Sequence, residues 1–490
     1  MSVAADREPS TARAEGTPVR AEATTAGPAG RTSGTSDADS AVGAVGAVGA
    51  VGAVGAVGAA GAAGRRPGTA DPSSTAALLD RFRPLFAAIA EGAVDREQQR
   101  GLPFREVAAL KEVGFGALRV PVEYGGSGAT LRQLFSLLTE LATADSNLTQ
   151  LWRGHFAYIE GLLLQPPSAH RDRWLFDIAA GAMIGNASSE LTGTSLRDIR
   201  TALTEADGQD GALTLTGSKY YSTGSLYADW IAGSAVRDGE RVGYAVRATA
   251  AGVECVDDWD GFGQRLTGSG TTHFTDVRVD PAHVRTYSPD APSHVHGFFQ
   301  LVLVAALAGV ARAAARDAAD FVRPRTRSYI TAAAALPRED PQVLQVVGEV
   351  AGRAFAAEAV VLAAADALDA AVGLLRVGPA GVRPADDGPD TRSATGTAAN
   401  HYVTGPDTAV RAAVDAAEVA VNQAQLVAVE QSLRAATDLF EVGGASATEA
   451  GRALDRHWRN ARTIASHNPA VYKARSVGHW LVHGEREHVP

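Results

Sequence analysis

The chain has 490 residues, enough for two or three cooperatively folded domains, and its 46% hydrophobic and 20% charged content is that of a globular protein. A net charge of −10, with no basic run beyond Arg65-Arg66, argues against nucleic acid as a partner. Cys255 is the only cysteine, which excludes an intramolecular disulfide and any cysteine-based metal cluster.

The N-terminus lacks the basic start and apolar stretch of a secretory signal. Residues 1–74 are rich in Ala, Gly, Thr and Ser and contain no aromatic residue; from Ala41 an Ala-Val-Gly triplet repeats. A period of three matches neither helix nor strand. The segment has too little apolar mass to offset its ordering entropy or to span a bilayer, so we expect a disordered tail and no membrane insertion. From Ala76 to Leu110 the pattern is helical, with Leu78, Leu79, Phe82, Leu85, Phe86 and Ile89 on one face. Further helical runs at 131–141 and 148–164 complete a predicted helical N-terminal domain, 75–180. The period then becomes two, as in Leu213-Thr214-Leu215-Thr216 and in 271–279, and Asp238-Gly239 forms a turn between strand-like runs. That predicts a central antiparallel β domain, 181–290, with Cys255 a small buried hydrophobe in one strand. Helical runs at 298–322, 341–375, 408–442 and 449–465 predict a C-terminal four-helix bundle, 291–490, interrupted by a disordered insert near 377–400. The predicted fold class is therefore α+β multidomain.

No phosphate-binding or nucleophile-elbow signature is intact, and the isolated pairs His294-x-His296 and His479-x-x-x-His483 give no ground to expect a metal. Three segments carry chemistry. In Gly217 to Gly224, Tyr221 and Thr223 would share one face of a strand, an aromatic plate beside a hydroxyl that suits a flat heteroaromatic ring. Asp257 to Gly270 is an acidic, glycine-rich excursion carrying Trp259. Leu454 to Pro469 reads as a helix opened by a Ser446-x-x-Glu449 capping box, with His467 just beyond its end. Taken singly, these segments have plain structural explanations: a strand edge, a solvated loop, a solvated arginine face with a C-capping histidine.

Together and in this order they resemble the acyl-CoA dehydrogenase superfamily, and within it the flavin-dependent monooxygenase branch that includes dibenzothiophene monooxygenase and alkylamine N-hydroxylases. The resemblance spans roughly residues 75–485. It implies a flavin, reduced FMN or FAD, between the β domain and the bundle, with Asn186, Tyr221, Thr223 and Trp259 around its ring and Arg327 reaching its phosphate. It also implies a tetramer. The dehydrogenases of the family use a carboxylate base after a Gly-Gly pair; here the matching positions after Gly443-Gly444 are Ala450 or Gly451, and Glu449 misses both registers. Thr192-Gly193-Thr194-Ser195 likewise departs from the dehydrogenase signature. The monooxygenase branch instead needs a hydrogen-bonding group near the ring and a dry pocket. His467 matches that position, and His155, three residues before Tyr158 on a predicted helix, is the second candidate.

The expectation is a cytoplasmic two-component monooxygenase using reduced flavin and O2 on a small sulfur- or nitrogen-containing molecule. Reduced flavin would come from a separate NAD(P)H:flavin reductase, since no nicotinamide fold is present. A flavoprotein dehydrogenase is the alternative.

Overall fold

The computed structural model describes residues 74–191, 198–206, 211–286, 291–377 and 408–487. The predicted tail and insert fall outside these residues, apart from Ser74 and Val377, as does the Thr192–Ser195 stretch.

The first helical run breaks into three helices, α1 (Thr75–Glu91), α2 (Ala93–Gln99) and α3 (Phe104–Glu112). Ser74 caps α1 by accepting from the Ala77 amide, and Leu78, Phe82, Phe86 and Ile89 form its buried face. Burying side chains of this size stabilises by roughly 1.5–3 kcal/mol each. α4 (Leu131–Ala144) opens with a full capping box between Thr130 and Gln133. The run predicted over 148–164 is two helices, α5 (Ser146–Leu151) and α6 (Arg153–Leu163), and α7 (Ala169–Ala179) leads into the sheet.

The sheet is mixed, which corrects the expectation of a wholly antiparallel domain. β1 (Ile184–Ala187) runs parallel to β4 (Trp230–Arg237), and β2 (Ala202–Glu205) also meets β4 in parallel while pairing antiparallel with β3 (Leu213–Lys219). β5 (Glu240–Arg247), β6 (Val253–Cys255), β7 (Thr272–Val279) and β8 (Val284–Thr286) complete an order β6-β7-β3-β2-β4-β5-β8, with β1 added on β4. The Asp238-Gly239 turn joins β4 to β5, both residues having positive φ. Leu213, Leu215, Ile231, Val242, Tyr244, Phe274 and Val277 form the sheet's own core, and Cys255 packs half-buried against it.

The C-terminal body consists of α8 (Val295–Val322), α9 (Pro341–Val377), α10 (Thr408–Asp438), α11 (Asp455–Ser466) and α12 (Ala470–His483). α8 is long and apolar enough to cross a membrane by length and composition, yet most of it is buried, packed against α4, α9, α10 and α11. Gly309 permits the α4–α8 approach: a Cβ there would lie 2.2 Å from that of Ala142. Two expectations fail at this end. Ser446 and Glu449 form no capping box, because 444–452 is a series of short 3-10 turns and the helix begins at Asp455. α12, beyond Pro469, was not foreseen.

Candidate active site

Two of the three segments, Asp257 to Gly270 and Leu454 to Pro469, dock on each other. Asn460 Oδ1, on α11, accepts from the Gln264 amide at 2.6 Å, and Arg459 donates to the Phe262 carbonyl at 3.0 Å. A Cβ on Gly263 would lie 2.2 Å from the Arg459 carbonyl oxygen, so the glycine-rich excursion is shaped to receive the helix. Arg459 is further tied to Glu97 and Asp455, which makes it a clasp rather than a solvated face.

β3 ends at Lys219, so Tyr221 and Thr223 do not share a strand face. Tyr221 instead takes φ 61°, a left-handed turn that brings both residues onto one rim. The Tyr221 ring meets that of Trp259 edge-on at 6.0 Å, and the Trp259 indole donates to the Gly263 carbonyl at 3.3 Å. Thr223 Oγ1 lies 2.8 Å from Ser269 Oγ, which lies 2.7 Å from Thr267 Oγ1. The Thr223 carbonyl accepts from the Asn186 amide at 3.2 Å, which joins β1 to the rim. Beside this hydroxyl chain, Ser222 Oγ and Gln264 Oε1 are buried with no partner among the described residues. Aromatic rings, neutral hydroxyls, amides and unclaimed buried polar atoms are the donor set that a flavin ring requires, and the residues present fit such a group.

Gly154, on α6, carries the rim towards His467. A Cβ there would lie 2.7 Å from that of Asn186, so only glycine lets α6 approach β1 this closely. Next to it, Arg153 donates from Nη1 towards His467 Nε2 at 3.0 Å and from Nε to the Phe299 carbonyl at 2.8 Å, its guanidinium 3.4 Å from the Phe299 ring centroid. A guanidinium can only donate, so His467 Nε2 is an acceptor and Nδ1 carries the proton of the neutral ring. His467 is the C-cap of α11 and keeps an exposed edge. Crowding of protein around the ring, and the Arg153 charge, hold its pKa below the ordinary histidine value.

His155 does not reach the rim. Wholly buried, it donates from Nε2 to the Gly116 carbonyl at 2.9 Å and accepts the Ile184 amide at Nδ1 at 3.1 Å. Burial pushes its pKa down to about 4. Both ring nitrogens are occupied by backbone, so the expectation of a catalytic His155 gives way to a structural one. Arg327 lies exposed after α8, with no contact to the rim among the described residues. Glu449, the carboxylate nearest the dehydrogenase register, pairs with Arg452 at 3.0 Å on the surface. Arg153 was the residue that sequence reasoning overlooked; its signal was an arginine with no acidic neighbour three or four residues away in either direction.

Residues 75–182 match the acyl-CoA dehydrogenase N-terminal domain, and residues 301–471 match the acyl-CoA dehydrogenase C-terminal domain. The chain belongs to the acyl-CoA dehydrogenase family. Among its relatives, a probable FMNH2-dependent monooxygenase of Pseudomonas putida is 28% identical over 82% of this chain and 94% of its own length. A dibenzothiophene monooxygenase of Mycolicibacterium goodii is 27% identical over 79% and 89%. Of solved structures, the FMN-bound TdsC of Paenibacillus sp. A11-2 superposes with a TM-score of 0.71 at 28% identity, and the methanesulfinate monooxygenase of Pseudomonas fluorescens with 0.70 at 27%; each covers 84% of this chain and 98% of its own.

Proposed function

We propose that this chain is the oxygenase of a two-component system, a flavin-dependent monooxygenase that takes reduced FMN and O2 and oxygenates a small sulfur- or nitrogen-containing molecule. The observation that carries the reading is the pairing of an intact ring-binding rim with the wrong equipment for α-proton abstraction. The carboxylate at the base register, Glu449, is exposed and bound to Arg452, while His467, the histidine that matches the monooxygenase position, is held by an arginine. The names of the relatives point the same way.

Reduced flavin, when bound, supplies the electrons that activate O2. The chain's own residues do the rest. Tyr221 and Trp259 wall the ring, Thr223 and Asn186 present a hydroxyl and an amide to its polar edge, and His467 offers an Nδ1–H donor. In this reading Arg327 holds the cofactor phosphate. Its place in an exposed loop with Tyr329 and Ile330, 80% and 92% exposed, supports its serving a neighbouring subunit of a homotetramer. A separate NAD(P)H:flavin reductase supplies the cofactor in the cytoplasm, where reduced nicotinamide is available.

The test supplies the protein with reduced FMN in air and a panel of organic sulfides, sulfinates and amines, and measures oxygenated product. A parallel assay offers acyl-CoA with an artificial electron acceptor. Product from the panel and no acyl-CoA oxidation are expected; acyl-CoA reduction of bound flavin refutes the proposal.

A further inference from the structure

The last turn of α12 brings together two side chains that the oxygenase reading leaves unused. His479, half-buried, and His483, exposed, lie one helical turn apart on one face, and their rings are 4.4 Å apart centroid to centroid. The spacing His479-x-x-x-His483 is by itself a weak signal; the fold adds a fixed tautomer. Gly484 ends the helix with φ 74°, a left-handed step that suits glycine, and its amide donates to the Trp480 carbonyl at 2.8 Å. The chain then folds back along α12 and is anchored there. Arg486 meets Asp415 at 3.1 Å and Glu418 at 2.6 Å on α10, and Glu487 meets Arg475 at 3.0 Å on α12.

These anchors set the Glu485 carbonyl 3.0 Å from His479 Nδ1. A carbonyl only accepts, so Nδ1 carries the proton and Nε2 keeps its lone pair. Histidines that ligate metal ions are oriented in this way, the nitrogen away from the ion donating to a backbone carbonyl or a carboxylate. His483 has no hydrogen bond among the described residues, so its ring is available as a second ligand. Two imidazoles at i and i+4 on one helix face are an arrangement by which helices present ligands to zinc. Among the described residues no third His, Cys, Asp or Glu joins the pair, so the protein supplies two ligands and water fills the remaining positions.

We propose that His479 and His483 form a surface site for one transition-metal dication of the zinc, nickel or copper class, held by two imidazole nitrogens at about 2.0–2.1 Å. Mg2+ and Ca2+, which take oxygen ligands, do not fit it. The bound ion clips the last turn of α12, joining the ring that the returning segment holds to the ring at the helix end. No residue of the flavin rim contributes to the site, and the inference does not rest on the oxygenase reading.

Calorimetric titration of the untagged full chain with zinc chloride tests it. Losing even an outer partner of a metal ligand typically costs about 10–100-fold in affinity, and losing one of two ligands costs no less. His479→Ala and His483→Ala should therefore each weaken zinc binding at least about tenfold. His273→Ala, which removes an exposed histidine on β7, should bind zinc as wild type does. Nickel should compete with zinc, and magnesium at the same concentration should not. Zinc should raise the melting temperature of wild type and of His273→Ala but not of the other two variants, because a ligand stabilises only the fold that binds it. FMN affinity should be the same in all three variants. Should His479→Ala fail to fold, His483→Ala, at an exposed position, decides alone. No zinc binding, undiminished binding in His483→Ala, an equal loss in His273→Ala, or equal competition by magnesium overturns the proposal.

Discussion

Replacing His155 with Phe turns its structural role into a pH-dependent stability difference. The ring accepts the Ile184 amide through Nδ1, so a proton at Nδ1 would break that bond inside the core. Its folded-state pKa is pushed down to about 4, against about 6.5 for a histidine in the unfolded chain. The unfolded state therefore binds more protons as pH falls below about 6.5, and stability is lost from there down to about pH 4. At pH 5 this one group removes about 2 kcal/mol relative to pH 7.5. Phe keeps the ring contacts to Trp152 and Phe156 but strands the Ile184 amide and the Gly116 carbonyl, each at roughly 1–3 kcal/mol. At pH 7.5 the variant should be about 2–6 kcal/mol less stable than wild type, and at pH 5 that deficit should shrink by about 2 kcal/mol. Urea unfolding followed by circular dichroism at the two pH values measures both quantities, and the other histidines cancel in the difference. A deficit that does not change with pH refutes the argument. A variant of wild-type stability that has lost turnover would return His155 to the mechanism.

His467→Ala should bind reduced FMN within a few-fold of wild type but form about 10²–10⁴-fold less oxygenated product, with the electrons recovered as hydrogen peroxide; unchanged product-to-peroxide partition removes His467 from the chemistry. Arg327→Ala should weaken FMN binding and leave that partition unchanged at saturating flavin, as read by flavin titration. Arg119→Met leaves the buried Glu160 with His294 as its one remaining side-chain partner among the described residues and should lower stability by about 3–5 kcal/mol, measured by urea unfolding. Removing residues 1–72 should leave melting temperature and turnover unchanged, since every core residue among those described lies at or beyond Leu78.

Local signals were legible wherever one short stretch decides the structure. The apolar stripe of α1, the Thr130–Gln133 box of α4 and the Asp238-Gly239 turn each form from neighbours in sequence, and each is found. What escaped depends on partners far along the chain. Whether β1 lies parallel or antiparallel to β4 is set by how α7 delivers it to the sheet, and no alternation of Val and Thr records that. Tyr221 follows β3 in a left-handed turn rather than on a strand, so the shared strand face expected for Tyr221 and Thr223 does not exist and their placement depends on where the chain turns after Lys219. Ser446-x-x-Glu449 had the letters of a capping box, but Glu449 goes to Arg452 and the chain turns in 3-10 steps. Arg153 stood two residues from the histidine that drew attention; its distinction, a missing counter-charge, exists only once Phe299 and His467 are folded against it.

That missing counter-charge also separates this site from one built for proton abstraction. A general base at neutral pH needs a carboxylate, or a histidine free to accept. Here the acceptor nitrogen of His467 is already taken by Arg153, and the cation opposes any second proton on the ring. What remains on the neutral ring is an Nδ1–H donor, and protein crowding together with the Arg153 charge opposes a second proton. Such a group is poorly suited to removing an α-proton and well suited to donating a hydrogen bond to oxygen that develops negative charge. Arg153 consequently belongs in any mutational series on this site, and its effects on binding and on product-to-peroxide partition should not be additive with those of His467, because the two residues share one hydrogen bond.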